Sequence, residues 1–167
     1  ILLGDLNLEG DELSVVVVAN VESDQAVSGT WVGCFPTTDQ YIFYIKHDSG
    51  GDFVRALIYP TNGVLQTLAT DPGDLSLGEW AVWVCTYDRG TSEKIIKDGV
   101  TEASLTPPDY AIRAPYPASF DVSVGALDTD GDGWDDSNYW DGQIDCIIIA
   151  QSAFNQSQVD VVTYGFM

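Results

Sequence analysis

Positive charge is scarce in this sequence. Six lysines and arginines stand against 26 acidic residues over 167 positions, a formal net charge of -20. Nucleic acids and anionic membrane surfaces are held through clustered Lys and Arg that release counterions, so neither is an expected partner. Screening or bound cations must relieve the self-repulsion, which fits a salty or calcium-bearing medium. Long apolar runs are missing too. VVVVA (15–19) and CIIIA (146–150) fall far short of the roughly 20 residues of a membrane-spanning helix, so no membrane insertion is expected. The chain starts at Ile1 with no initiator methionine and no signal-like segment, as expected of a mature or excised piece. Histidine occurs once. His47 follows the strand pattern YIFYIK and precedes DSGGD, which reads as a surface or hydrogen-bonding residue rather than a base. The three cysteines, Cys34, Cys85 and Cys146, have no metal-type spacing. Cys85 and Cys146 lie in apolar strand patterns and read as buried thiols. The odd count leaves at least one thiol unpaired within the chain.

What the sequence has in abundance is strand signal. Short apolar or alternating runs recur every ten residues or so, separated by Gly, Asp, Asn and Pro. They predict strands over 13–22, 29–35, 40–46, 53–59, 64–70, 79–88, 93–97, 100–105, 120–127 and 143–150. Asn62-Gly63 and Asp98-Gly99 supply the positive φ of tight turns, the latter closing EKIIK onto VTEASL. NQSQVDVV (155–162) is the one helical candidate, with Asn155 as N-cap and Gln158 three residues on as in a capping box. Four prolines in TPPDYAIRAPYP (106–117) exclude a central strand and predict a long ordered crossover loop. With neither repeat nor linker, the economical architecture is one antiparallel β-sandwich with a short C-terminal helix.

LSLGEWAVWVCTYDRGTSEKIIKDGV (75–100) resembles the core of the laminin-G-like, concanavalin-A-like jelly-roll domains: a Leu and Trp entry, an alternating strand ending in Thr-Tyr-Asp, and a hairpin on Asp-Gly. YWDGQIDCIIIAQSAFNQSQV (139–159) is similar to the end of that family, and LSVVVVANV (13–21) to its first core strand. The resemblance implies a single domain over 1–167 and an all-β, two-sheet antiparallel jelly-roll sandwich with one short C-terminal helix. For function it implies a range from carbohydrate-binding modules and lectins to adhesion and structural proteins.

The strongest chemical signal is DTDGDGWDDSNYWDG (128–142). Asp128, Asp130 and Asp132 alternate before Gly133, so a curling loop aims their oxygens at one centre. Asp136 falls at the ninth position and the carbonyl of Trp134 at the seventh. An all-oxygen donor set means calcium rather than zinc or copper. Tyr139 stands where an EF-hand has a bidentate Glu, and strand patterns flank the loop, so this is not an EF-hand. The bland alternative is a solvated acidic loop whose Asp-Gly steps make turns.

Aromatic residues extend the picture. Trp80 and Trp83 lie on an apolar strand and are expected in the core. Trp134 and Tyr139 sit in or beside the acidic loop, where exposed rings would stack on a sugar face; Tyr110 and Tyr116 of the proline-rich segment join that rim if the loops share an edge. The alternative is that these rings cover their own backbone. A glucanase would need two carboxylates roughly 5–5.5 Å apart on one strand face. LEGDEL offers Glu9, Asp11 and Glu12, but the alternation fails after Asp11, so no enzyme is expected.

VVVV (15–18), AVWVC (81–85) and CIIIA (146–150) are apolar on both strand faces, so something must cover the outer face. The expected cover is the proline-rich loop with the N-terminal segment, or else a neighbouring subunit. Two readings follow. The first is an extracellular or cell-surface recognition module that binds a glycan and is stabilised by calcium. The second is a structural or decoration subunit of an extracellular or virion assembly, self-associating through the same fold.

Overall fold

A computed structural model of the chain describes residues 8, 10–22, 29–34, 43–48, 52–112, 122–125 and 142–167. Ten strands and one helix follow in order: β1 (Glu12–Val21), β2 (Gly29–Cys34), β3 (Phe43–Asp48), β4 (Phe53–Ile58), β5 (Gln66–Ala69), β6 (Trp80–Asp88), β7 (Ser92–Lys97), β8 (Val100–Leu105), β9 (Val122–Val124), β10 (Gly142–Ala150) and α1 (Gln156–Phe166). They form two five-stranded antiparallel sheets, β10-β1-β6-β7-β8 and β5-β4-β3-β2-β9. This is the antiparallel sandwich that the strand pattern predicts and the two-sheet jelly roll that the resemblance implies.

Side-chain alternation builds the core. Val15 and Val17 of β1, Trp83 and Tyr87 of β6, Trp31 of β2 and Phe43 and Ile45 of β3 point between the sheets and are almost wholly buried. A bulge at Trp31 breaks the β2–β3 register and sends both Trp31 and Val32 inward. Trp31 then meets Trp83 across the sheets, with ring centroids 5.7 Å apart and planes tilted by 53°. Each such burial contributes about 1.5–3 kcal/mol.

The outer face of the β1 sheet is apolar as well, and among the described residues the C-terminal helix lies over it, a cover that the sequence reading did not name. Val16, Val18, Val82, Val84 and Ile96 pack with Val159 of α1, joined by Cys146, Ile148, Phe154 and Val162. The helix starts where its capping box places it: Gln158 N donates to Asn155 Oδ1 at 3.1 Å and Asn155 N donates to Gln158 Oε1 at 3.0 Å. Ser14, buried on that face, ties the approach to the helix by donating to Ser152 O and accepting from Phe154 N.

Loops lace both ends of the sandwich. At one end Ile112 N donates to Gly10 O and Thr61 N donates to Ala111 O; the Tyr87 hydroxyl donates to Tyr110 O. These bonds tie residues 110–112 of the proline-rich segment to the sandwich; the rest of the crossover expected over 106–117 lies partly outside the described residues. At the other end Leu75 N donates to Asp52 O, and Gly78 N donates to Val21 O. The Asp98-Gly99 turn has both residues at positive φ (50° and 85°), as a tight hairpin requires. At Asn62-Gly63 only Gly63 does (76°); Asn62 instead caps the turn by accepting from Val64 N.

Candidate functional site

The outer face of the second sheet differs in kind. Strands β3 and β4 pair antiparallel, with Tyr44 opposite Leu57, Lys46 opposite Arg55 and Asp48 opposite Phe53. Phe43, Ile45 and His47 alternate with them and are buried, so Tyr44, Lys46 and Asp48 share the outward face with Phe53 and Arg55. Asp48 Oδ2 takes both cations, Lys46 Nζ at 3.2 Å and Arg55 at 3.1 Å. Each cation also rides over a ring: Lys46 Nζ lies 5.9 Å from the centroid of Tyr44, and the Arg55 guanidinium carbon 5.3 Å from that of Phe53. Pairing of this kind fixes two flexible side chains in place. Arg55 Nε makes no hydrogen bond. Thr67, exposed on β5, stands opposite Leu57 and adds a hydroxyl to the face. Rings, fixed charges and a carboxylate on one flank are groups that recognise a polar, hydroxyl-rich ligand.

A second chemical oddity lies inside. Glu93 on β7 faces the core opposite Tyr87. It is 1% exposed, and neither carboxylate oxygen has a hydrogen-bond partner. Burial pushes its carboxyl up from 4.5 to about 7. It lines an inter-sheet cavity with Leu13, Phe43, Ile58 and Tyr87, whose room of about 10 Å³ for water centres suits one molecule. The neighbouring Cys85 thiol is raised first by burial and then by Glu93. Tyr87, raised to about 12 for the same reasons, already spends its hydroxyl proton on Tyr110 O. Glu93 is thus a core acid whose charged form is disfavoured by burial.

Of the residues that the sequence singles out, Asp128, Asp130, Asp132, Trp134, Asp136, Tyr139 and Tyr116 lie outside the described residues. Among the described residues no group of three or more His, Cys, Asp and Glu is placed to hold a metal ion. Tyr110 is 46% exposed at the end where Ile112 bridges Gly10 and Pro60. Gly142 and Gly125, which flank the acidic segment, sit toward the other end: Gly142 pairs with Val21, and Gly125 leaves β9 on the Gly29 side of β2. His47 belongs to β3 and is buried rather than surface-placed, with Nε2 3.6 Å from Asp52 Oδ1. Trp83 is core, but Trp80 is 49% exposed; it points outward at the start of β6, beside Phe166 and Met167.

Lys46, Asp48, Phe53 and Arg55 were not singled out by the sequence reading. The available signal was symmetry. Counting outward from Gly50-Gly51 pairs Asp48 with Phe53 and Lys46 with Arg55, so a hairpin about that turn brings two of the chain's six cations face to face.

The family described as the concanavalin A-like lectin/glucanases superfamily (laminin G type) matches residues 1–160. No curated protein matches the chain. Solved structures share the fold at low identity. The CBM40 of Ruminococcus gnavus IT-sialidase is 16% identical with a TM-score of 0.74, over 92% of this chain and 83% of that one. The same module bound to α2,3-sialyllactose gives a TM-score of 0.70 over the same shares. A carbohydrate-binding protein of Bacteroides ovatus, so described as a tentative assignment, is 14% identical with a TM-score of 0.70, over 95% of this chain and 42% of that one.

Proposed function

Because the chain belongs to the concanavalin A-like lectin/glucanases superfamily, we propose that it is a non-catalytic, extracellular carbohydrate-binding module whose glycan site is the outer face of β3 and β4. The observation that carries this reading is the convergence of Lys46 and Arg55 on Asp48, each held over an aromatic ring. Structures of the same fold that are described as carbohydrate-binding support it. The non-catalytic part is supported by the carboxylates: Asp48 is the one acid that the described strands of this sheet place on the face, so a retaining pair has no second member there.

Calcium belongs to the same proposal. Asp128, Asp130, Asp132 and Asp136 with the carbonyl of Trp134 make an all-oxygen donor set that suits Ca²⁺. The ion would neutralise a segment that otherwise repels itself and order Trp134 and Tyr139 for a sugar. One observation favours the second reading, a packing subunit. Val161 and Tyr164 of α1 and Met167 at its C-cap are 73%, 76% and 75% exposed, and Val100 and Trp80 are exposed too.

A glycan-array screen with calcium and again after EDTA, run beside light scattering, tests both. The expected result is a monomer that binds a discrete set of glycans and binds them more weakly without calcium. A stable oligomer that binds no glycan would replace this reading with the packing subunit.

A further inference from the structure

Positive charge on the β3–β4 face is arranged unlike that at Arg89 and Lys97. Arg89 is divided between two carboxylates, Asp11 at 2.9 Å and Asp109 at 2.7 Å. Lys97 donates to Asp74 O at 2.6 Å and lies over the Trp83 ring, a structural use. Lys46 and Arg55 stand directly opposite each other and share the single carboxylate of Asp48. Like charges facing across a strand pair destabilise it, and Asp48 offsets one of the two. Among the described residues the face therefore keeps a local surplus of one positive charge in a chain whose formal net charge is -20.

The surplus is placed where a ligand reaches it. The Arg55 side chain is 31% exposed and spends one terminal nitrogen on Asp48. Nε has no hydrogen-bond partner but is itself buried, so a ligand meets the exposed remainder of the side chain. Phe53 holds the guanidinium plane from one side. A partly exposed guanidinium is matched by a carboxylate, charge against charge, whereas a neutral hydroxyl satisfies one donor and leaves the charge uncompensated.

The geometry points to a sugar that carries a carboxylate, a sialic or uronic acid residue, as the ligand of this face, its carboxylate completing the pairing of Arg55 and Lys46 beside Asp48. This rests on the carbohydrate-binding reading above and narrows it to an acidic glycan class.

Calorimetric titration of the whole chain with α2,3-sialyllactose, an oligogalacturonate and lactose tests it, and the two acidic probes separate sialic from uronic acid. At least one acidic sugar is expected to bind about tenfold or more tightly than lactose, the scale of a charge-assisted hydrogen bond, with the preference shrinking as salt rises. Arg55→Gln is expected to bring that sugar down to the lactose level while leaving the urea unfolding midpoint nearly unchanged. Should that variant fail to fold, Lys46→Gln and the salt dependence of the unaltered chain carry the same comparison. Equal affinity for lactose and the acidic sugars, or a preference that survives Arg55→Gln in a folded protein, would overturn the inference and leave the carbohydrate reading standing. No binding to any of the three, with a blank glycan array, would overturn both.

Discussion

The two outer faces of this sandwich are made with opposite chemistry. Outside the β1 sheet lie Val16, Val18, Val82, Val84 and Ile96, sealed by Val159 of the helix. Outside the β3 sheet lie Tyr44, Lys46, Asp48, Phe53 and Arg55, tied to one another by ion pairs and ring contacts. The first face gains free energy by excluding water; the second carries paired charges and, on the carbohydrate-binding reading, is the one left to recognition.

If that division holds, a change on the helix side should strike stability and leave binding selectivity alone. The largest effect is expected from Val159→Asp, because Val159 is fully buried against the β1 sheet and an unpaired charge there must ionise in an apolar layer or undock the helix. The loss should reach about 3–5 kcal/mol in urea unfolding. A loss below about 1 kcal/mol would mean that the helix is no true cover, and the contrast between the faces would collapse.

Glu93 sharpens the comparison from inside. Its carboxyl is raised from 4.5 to about 7 by burial, so the folded state holds the proton more tightly than the unfolded chain. No penalty exists below about pH 4.5. It grows as pH rises toward about 7 and is constant above that, at about 3 kcal/mol. Glu93→Gln keeps the shape and cannot ionise. Relative to the unaltered chain, the variant should gain about 3 kcal/mol of stability between about pH 4 and pH 8, read from urea midpoints at each pH. A difference that stays flat over that range would show that the carboxylate finds a partner or water when it ionises. The neighbours that titrate here, Cys85 and Tyr87, are pushed further up and stay neutral throughout.

Much of this was legible in the sequence, because the strands are written in alternation and turns. All ten predicted strands correspond to observed ones, and Asn155 with Gln158 marked the helix start. The misreadings share a cause: periodicity tells which residues share a face, not what lies over it. VVVV and CIIIA announced an outer face needing cover, yet the short helix that supplies it was not connected to them. Trp80 looked like core by its strand, but its outward position at the strand start is left open. His47 was read as loop because Asp48 and Ser49 resemble a turn, whereas β3 continues through Asp48 and pairs it with Phe53. The β3–β4 face was overlooked because single charges at alternate positions resemble ordinary solvent-facing residues. Only the register shows that Lys46 and Arg55 meet on one carboxylate.

The smallest expected effect asks how the helical cover is held. Asn155 Oδ1 accepts from Gln158 N, and the reciprocal bond from Asn155 N to Gln158 Oε1 survives Asn155→Ala because it uses the backbone. The substitution therefore removes one of the two capping bonds and should cost about 1 kcal/mol in urea unfolding. Acidic residues are absent from the first turn and basic ones from the last, so the helix dipole gains nothing from charge and capping carries more of the terminus. A cost near 1 kcal/mol with unchanged glycan binding places the helix as a cover held chiefly by Val159 and its neighbours. A cost of about 3 kcal/mol would mean that the cap governs docking of the whole helix, and no cost would mean that apolar packing alone sets where α1 begins.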